Sequence, residues 1–365
     1  MIAPLIFGSG ASPSGKAAVF GTAMRRFESF RPKANKRGNF AVASNSKDPE
    51  GLMNRSPLVF AGTSHPELAR AVALHLKLEL GKISFEPFPD GEIGVQIGEN
   101  VRGRDTFVIQ SPVHHPNRFL MELFIMVDAL KRASAKSIVA VLPYYAYARQ
   151  DRKEKGRVPI TARLVADLLE RAGVTRVLTM DLHTEQIQGF FNIPVDHLYS
   201  RPLFVEALGK RGLKGAVIVS PDVGSNRMAR KFAEDLELEI AIVDKRRLSG
   251  RKVASNALIG NVEGKLAVLV DDICSTGGTL EMAARVCKEH GAKGVIAVVA
   301  HGLFLGGRKL KGVDEIYLSD SVPQGKKEGK KASGVHVVSI AALLAKAIEC
   351  VISAKSIRSL FREKI

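Results

Sequence analysis

Residues 266–280 read "LAVLVDDICSTGGTL", which is the most specific pattern in the sequence. An apolar run typical of a buried strand leads into two carboxylates, Asp271 and Asp272, and then into a loop of small residues at a helix start. The loop offers backbone N–H groups and hydroxyls to a phosphate, although the carboxylates beside it would repel one. A phosphorylated sugar suits both the loop and the carboxylates, because its phosphate can accept from the loop and its hydroxyls can donate to a carboxylate. The spacing differs from that of a P-loop, so the pattern predicts a sugar-phosphate site.

The composition fits an enzyme of two domains. The chain has 365 residues, of which 45% are hydrophobic and 25% charged, enough for a sizeable core. No apolar run approaches the ~20 residues that span a membrane, so no transmembrane segment is predicted. The cysteines, Cys274, Cys287 and Cys350, are unclustered, which argues for a reducing compartment and against a disulfide framework or a zinc site.

The net charge of +17 predicts polyanionic ligands. Nucleic acid is one such ligand, but the chain has no tryptophan and only five tyrosines, so aromatic residues do not alternate with basic ones as in single-strand binders. Small polyanions such as nucleotides are therefore the favoured partners. Neither nucleic acid nor a membrane is expected to be a partner.

Residues 1–56 differ from the rest of the chain. They carry nine Lys or Arg against three acids, and Glu28 is the only acid before Asp48. A basic, serine-rich, acid-poor segment is typical of an organellar transit peptide, and the alternative is a disordered leader without a role. The protein is predicted to be cytoplasmic, or located in a plastid or mitochondrion if this segment is a transit peptide.

From Pro57 onward, strand-like apolar runs alternate with amphipathic helical segments. Runs such as "SIVAVL" and "GVIAVVA" are almost continuously apolar, as strands of a parallel sheet covered on both faces require. The pattern predicts an α/β fold, and the number of strands favours two units in tandem, over residues 57–200 and 201–365. The last helix of the chain is expected to pack back on the first unit.

Cationic and acidic residues follow successive predicted strands. Ligands of open α/β sheets bind outside the carboxyl ends of the strands, so these residues are expected to share one rim. Phosphates require cations, and a divalent metal requires carboxylate or imidazole ligands. Taken one at a time, each residue is as well explained as a turn residue or helix cap, and Thr276 or Thr279 could simply cap the next helix. The residues are Arg149, Gln150, Asp151, Arg152, Lys153, Asp181, His183, Asp222, Lys245, Arg246, Arg247, Asp271 and Asp272.

The motifs together resemble one enzyme family. "FPDGEI", "PYYAYARQDRK", "MDLHTEQIQGFFNIPVDHL", "VSPDVGS", "IVDKRR" and "VDDICSTGGT" occur in the order and spacing of the ribose-phosphate diphosphokinases, and the resemblance covers about residues 58–360. It implies two tandem type I phosphoribosyltransferase-like domains, each a mainly parallel sheet flanked by helices. It also implies transfer of the diphosphoryl group of ATP to the C1 hydroxyl of ribose 5-phosphate, with Mg²⁺. The products would be 5-phosphoribosyl 1-diphosphate, used in nucleotide biosynthesis, and AMP.

The resemblance assigns roles to particular residues and implies a homo-oligomer, a hexamer, with an ATP site shared between subunits. Diphosphoryl transfer depends on positioning and charge neutralisation more than on covalent chemistry, and no general base is evident. Activation of the sugar hydroxyl by the metal is the working hypothesis. The implied roles are catalysis for Lys245 and Arg247; ATP binding for Asp90, Gly91, Glu92, Arg149 and Gln150; metal binding for His183 and Asp222; and ribose 5-phosphate binding for Arg247, Asp271, Asp272, Ser275, Thr276, Gly277, Gly278 and Thr279.

The chain departs from the family pattern at a few positions. Ser275 stands where the family commonly has Asp, Ala146 stands where Gly is common, and "AHGLFLGG" at 300–307 differs from the usual motif. Regulation by ADP or inorganic phosphate is therefore left open. Three alternatives remain: a catalytically weak regulatory homologue, a phosphoribosyltransferase that consumes the product, and a nucleic-acid binder driven by charge.

Overall fold

The computed structural model describes residues 56–245, 256–305, 309–324 and 334–361, and the structural statements below concern these residues. The predictions for the leader before Ser56 and for Arg247 lie outside them. Within the described part of the chain, no helix is both long and apolar enough to cross a membrane.

The first half of the fold contains a five-stranded parallel sheet and a separate hairpin. The sheet has the strand order β1-β4-β5-β6-β7, and the hairpin of β2 and β3 is antiparallel. The strands are β1 (Leu58–Ala61), β2 (Ile83–Pro87), β3 (Ile93–Ile97), β4 (Asp105–Ile109), β5 (Ser137–Leu142), β6 (Arg176–Met180) and β7 (Val195–Leu198).

The second half contains a seven-stranded sheet with the order β10-β9-β8-β11-β12-β13-β14. All neighbouring strands are parallel except β9 and β10. The strands are β8 (Ala216–Ser220), β9 (Glu239–Lys245), β10 (Asn256–Ile259), β11 (Leu266–Cys274), β12 (Gly294–Gly302), β13 (Glu315–Ser319) and β14 (Val335–Val338).

Helices cover the faces of both sheets. Proline occupies an early position of α1, α2 and α4, where its missing N–H costs no hydrogen bond. The helices are α1 (Pro66–His75), α2 (Pro116–Arg132), α3 (Thr161–Ala172), α4 (Arg201–Arg211), α5 (Asn226–Leu236), α6 (Gly278–Glu289) and α7 (Ala341–Ile352), with 3-10 helices at Glu185–Phe190 and Ile357–Phe361.

The last α-helix packs on the first sheet, although the chain reaches it from the second. Leu344 and Ile348 of α7 are buried in the same apolar cluster as Val59 of β1 and Leu68 of α1. Burying such leucine and isoleucine side chains stabilises the fold by about 1.5–3 kcal/mol each. Helix α7 therefore ties the end of the chain to its first sheet.

The fold class expected from the sequence is confirmed. The near-continuous apolar runs form parallel strands whose side chains are buried on both faces under the covering helices, whereas the edge strands β10 and β14 stay partly exposed at Ile259 and Val337. The strand in 266–280 is longer than expected. Asp271 and Asp272 lie inside β11, where Asp271 pairs with Val299 and Cys274 with Gly302, so the neighbouring strand extends the ladder past the acids.

Candidate active site

The loop after β11 has the geometry of an anion-binding turn. Gly277 occupies the position before α6 with φ of +93°, in the left-handed region that favours glycine, and no described side chain caps the helix. Thr276 and Thr279 are therefore not helix caps, which excludes the plainer alternative for this loop. The N–H groups of the first turn point out of the helix start, where a phosphate can accept from them.

Backbone hydrogen bonds from the segment after β12 hold the start of this loop in place. The N–H of Leu303 donates to the carbonyl of Cys274 at 2.9 Å, and that of Leu305 donates to the carbonyl of Ser275 at 2.9 Å. The Ser275 side chain takes no part in either bond. The backbone of the loop is therefore held in the same way whether serine or aspartate stands at position 275.

Replacing Gly277 with alanine is expected to distort the loop. The new Cβ would lie 2.3 Å from Cδ2 of Leu310, and the left-handed backbone disfavours any side chain. Strain and overpacking together should cost roughly 2–4 kcal/mol. Differential scanning calorimetry should show a lower melting temperature, and titration calorimetry should show weaker binding of ribose 5-phosphate.

Gly278→Ala is the matched control for stability. Its added Cβ would meet nothing nearer than Oγ1 of Thr276 at 4.0 Å, and it stands at the first position of α6 without a positive φ. Its melting temperature should equal that of the wild type. Equal melting temperatures for Gly277→Ala and Gly278→Ala would contradict the steric argument.

The adjacent acids of β11 contact different parts of the protein. Successive side chains of a strand point to opposite faces, so the two carboxylates have different neighbours. Asp271 is 8% exposed and accepts from the hydroxyl of Ser225, before α5, at 2.8 Å. Oδ2 of Asp272 lies 2.6 Å from Nδ1 of His183, which follows β6 of the first sheet. Asp271 thus contacts the start of α5 beside its own sheet, whereas Asp272 connects the second sheet to the turn after β6 of the first sheet.

The pair divides its charge unequally. Burial raises the pKa of Asp271 to about 8, and the negative charge of Asp272 adds to the rise. Burial also opposes ionisation of Asp272, but the hydrogen bond and charge of His183 outweigh it and lower the pKa of Asp272. The pair therefore holds its negative charge preferentially on Asp272, the member that faces His183. This reduces the repulsion between the acids and a phosphate on the neighbouring loop.

His183 has the environment of a metal-bound histidine. Its Nδ1 is occupied by Asp272, and no hydrogen bond from the described residues reaches its Nε2. A carboxylate behind a histidine orients the ring and raises its basicity as a ligand. The hydrogen bond to Asp272 is also the largest cause of the raised pKa of His183.

Asp222, the second residue predicted to bind metal, lies at the turn before α5. Its Oδ1 accepts from the N–H of Ser225 at 3.0 Å, and the hydroxyl of Ser225 also donates to Asp271. Asp222 thus also acts as a turn-capping residue, as the plainer reading of a lone aspartate expects. His183 contacts Asp272, whereas Asp222 is linked through Ser225 to Asp271.

The donors present fit Mg²⁺ shared with a substrate. Among the described residues, no three His, Cys, Asp or Glu side chains form a group that could hold a metal ion. Mg²⁺ usually keeps several waters and binds one or two carboxylates plus substrate phosphates, so a protein cage is not required. Asp222 would offer a carboxylate and His183 an imidazole to such an ion, with waters and substrate phosphates completing its ligands.

The cationic segment after β5 lies next to His183. The hydroxyl of Thr184 donates to Oδ2 of Asp151 at 2.8 Å, which joins this segment to the turn after β6. The hydroxyl of Thr161 donates to Oε1 of Gln150 at 2.5 Å, and Arg149 is exposed. The structure thus brings the segment containing Arg149 and Gln150 to the rim that carries His183 and Asp272.

The residues at 90–92 are not brought to this rim by the single chain. They form the exposed tip of the β2–β3 hairpin, where Glu92 N–H donates to Oδ1 of Asp90 at 3.1 Å and Gly91 has a φ of +94°. No hydrogen bond or ion pair between described residues joins this tip to Arg149 or Gln150.

Lys245 is the last residue of β9, and it pairs in register with Asn256 of β10. Strand β9 runs parallel to β8, whose carboxyl end leads to Asp222. The backbone therefore places Lys245 at the same edge of the second sheet as the acid pair. Arg247 lies outside the described residues.

Sequence analysis missed two buried histidines at this rim. Nε2 of His301, at the end of β12, lies 3.2 Å from the carbonyl oxygen of Met180 and 3.1 Å from that of Asp181. Nε2 of His197 accepts from the N–H of Leu182 at 2.9 Å, and burial lowers the pKa of His197 to about 4. The signal for His301 was its position after an apolar strand neighbouring the acid-bearing one, whereas His197 lies within a strand and gave none.

Comparison with known proteins identifies the family of the chain. Residues 58–173 match the family model for the N-terminal domain of ribose phosphate pyrophosphokinase, and residues 202–322 match that of the phosphoribosyl transferase domain. The chain is 48% identical over 307 residues to the ribose-phosphate pyrophosphokinase of Wolinella succinogenes, covering 83% of this chain and 98% of that protein. It is 46% identical over 313 residues to that of Bacillus cereus, covering 85% and 98%.

A solved structure shows the same fold. Phosphoribosylpyrophosphate synthetase from Mycobacterium smegmatis superposes with a TM-score of 0.77 at 43% identity, covering 82% of this chain and all of that one. Both domain models, both relatives and this structure agree with the resemblance found in the sequence. The chain therefore belongs to the ribose-phosphate pyrophosphokinase family.

Proposed function

We propose that the protein is a ribose-phosphate diphosphokinase, which transfers the β,γ-diphosphoryl group of ATP to the C1 hydroxyl of ribose 5-phosphate. One observation carries the assignment within the site: the loop at 275–279 follows an acid pair of which one member is joined to His183 of the other sheet at 2.6 Å. A loop that holds a phosphate, beside carboxylates that accept from hydroxyls, suits a phosphorylated sugar. Family membership supports the reaction.

The residues of the second sheet are proposed to hold the acceptor. The N–H groups and hydroxyls at 275–279 would bind the 5-phosphate, and Asp271 and Asp272 would accept from the ribose hydroxyls. Since burial and the charge of Asp272 raise the pKa of Asp271, less negative charge would oppose a phosphate on the loop. Ribose bound in this way would present its C1 hydroxyl towards the edge where β9 ends in Lys245.

The donor is proposed to lie between the two sheets. Arg149 and Gln150 would contact ATP, while Asp90, Gly91 and Glu92 would reach the adenine of a neighbouring subunit's site, which requires a homo-oligomer. Mg²⁺ bound at His183 and Asp222 would neutralise the charge of the phosphates. Lys245 and Arg247 would stabilise the charge that builds on the transferring group, with the reaction depending on position rather than on a general base.

One assay tests the proposed function directly. Incubation with ATP, Mg²⁺ and ribose 5-phosphate should produce AMP and 5-phosphoribosyl 1-diphosphate in equal amounts, as measured by anion-exchange chromatography. Omission of ribose 5-phosphate should prevent AMP formation. ADP as the nucleotide product would indicate a simple phosphotransferase, and no turnover by the folded protein would exclude the synthetase.

The remaining predictions concern the whole assembly. The homo-oligomer is tested by mass photometry of the purified protein, where a monomer active at nanomolar concentration would contradict the shared ATP site. The location in the cytoplasm, or in a plastid or mitochondrion, stays a prediction that depends on the fate of residues 1–56. Sequencing the mature N-terminus distinguishes a cleaved leader from a retained one.

A further inference from the structure

The turn that carries His183 contains a residue in an unfavourable conformation. Asp181 directly follows β6 and has a φ of +40°, in the left-handed region that is unfavourable for a non-glycine residue. Its own side chain supplies one restraint, because Oδ2 accepts from the N–H of Ser200 at 3.0 Å. A strained turn of this kind persists only where its surroundings hold it.

His301 contacts the turn from the second sheet. It is 1% exposed, and its Nε2 lies within 3.2 Å of the carbonyl oxygens of Met180 and Asp181. Carbonyl oxygens only accept, so Nε2 of His301 must carry the hydrogen. Nδ1 lies 2.8 Å from the hydroxyl of Ser321, and the ring packs edge-on against Tyr144, which fixes its orientation.

His197 contacts the turn from the first sheet, on the other side of Asp181. Its Nε2 receives the N–H of Leu182 at 2.9 Å. An N–H group only donates, so Nε2 of His197 must lack a hydrogen and its neutral ring carries the hydrogen on Nδ1. That Nδ1 lies 3.5 Å from the side-chain amide of Gln188. The ring of Tyr199 lies 4.5 Å from that of His197 and holds it in place.

The two histidines thus have opposite tautomers that match the peptide groups they face. We propose that His197 and His301 are positioning residues that hydrogen-bond to the peptide groups before and after Asp181 and thereby hold His183 against Asp272. The inference deepens the proposed function and rests on it for the role of His183. Neither histidine would contact substrate or metal.

The strand register explains why His301 suits this task. His301 pairs with Ile273 in the parallel ladder of β11 and β12, and Ile273 directly follows Asp272. The same rigid pair of strands therefore fixes both the carboxylate that His183 must meet and the ring that holds the turn. Any shift of the first sheet relative to the second would have to break the bonds from His301 before His183 could leave Asp272.

The first test uses the unmodified protein and does not depend on activity. Long-range ¹⁵N–¹H correlation spectra of the imidazoles, with assignment by single His→Gln variants, report which ring nitrogen carries the hydrogen. We expect hydrogen on Nδ1 in His197 and on Nε2 in His301. The opposite tautomer in either ring would overturn the proposal, because that ring could not make its bond to the turn.

The second test removes the bonds while keeping the rings. His197→Phe and His301→Phe preserve aromatic packing but lack nitrogen, whereas His197→Gln can still accept from Leu182 and His301→Gln can still donate to the carbonyls. Hydrogen exchange of the peptide covering 179–186 should accelerate in the Phe variants and return towards the wild-type rate in the Gln variants. Loss of the support behind a metal-bound histidine should raise the half-saturating Mg²⁺ concentration by ~10–100-fold in the Phe variants, with little change in the KM for ribose 5-phosphate.

His65→Phe is the matched control. His65 is also buried and bonds backbone groups, with Nε2 2.8 Å from the carbonyl oxygen of Asp320, but it does not contact the turn. It should lower stability without changing exchange at 179–186 or the Mg²⁺ dependence. Equal effects of His65→Phe and the two test variants would overturn the proposal, as would wild-type exchange in His197→Phe and His301→Phe. An inactive wild-type protein with the expected tautomers and exchange pattern would instead contradict only the proposed function.

Discussion

Lys245→Ala is expected to lower kcat by roughly 10³-fold while leaving the Kd for ATP nearly unchanged. The backbone places residue 245 at the carboxyl end of β9, on the edge of the second sheet that carries the acid pair. A cation there would act on charge that develops during transfer, so its contribution belongs to the transition state rather than to binding. Rapid-quench measurement of AMP formation gives kcat, and titration calorimetry gives the Kd.

Two companion variants make this result interpretable. Lys245→Arg keeps the positive charge and should recover part of the lost rate. Lys265→Ala removes a lysine that directly precedes β11 and pairs at 2.5 Å with Glu239, the first residue of β9, and it should leave turnover unchanged. Wild-type kcat in Lys245→Ala would remove this residue from catalysis, and a matching fall in ATP affinity would make it a binding residue instead.

Asp272→Asn is expected to lower kcat/KM by roughly 10–100-fold. The amide would fill the same space but remove the charge that faces His183 at 2.6 Å, so the ring would lose its charge-assisted hydrogen bond. Removing this charge also removes one of the two main causes of the raised pKa of Asp271, which lowers that pKa and returns negative charge to the neighbour of the phosphate loop. Steady-state kinetics with ribose 5-phosphate and Mg²⁺ varied separately should show a higher requirement for both.

The control for this variant is Asp314→Asn, at the opposite edge of the same sheet. Asp314 precedes β13 and accepts from Lys288 at 3.0 Å and from the N–H of Val295 at 2.8 Å. Its replacement should lower the melting temperature and leave kcat/KM intact. If Asp272→Asn retains wild-type kcat/KM, the hydrogen bond between Asp272 and His183 has no part in catalysis.

The fold was predictable because it follows from local patterns. Apolar runs such as Ser137–Leu142 can be buried on both faces only in a parallel sheet under helices, and the helical segments between them supply that cover. The site was predictable as a set of strand ends, since the carboxyl ends of parallel strands meet at one edge. Residues with a chemical signature next to such an end, including His183 and Asp272, were therefore found without coordinates.

Sequence patterns could not give the relations between side chains that are distant in the chain. Asp271 and Asp272 look equivalent in "VLVDDICSTGGTL", but one is turned towards Ser225 and the other towards His183, 89 residues away. The difference between their pKa values comes from burial and from which partner each one meets, and neither is encoded in a local run of residues.

The residue pattern alone was enough to predict an α/β chain with two mainly parallel sheets, a small-residue loop after an acid pair, and the family of the chain. The periodicity of apolar residues and the composition of one loop are local properties, so they do not depend on how the two sheets are arranged. The partner of each acid, the contacts of His301 and His197 with the turn of Asp181, and the return of α7 to the first sheet depend instead on the tertiary structure. These features depend on packing across the two sheets, where distance and burial rather than residue type set the interaction.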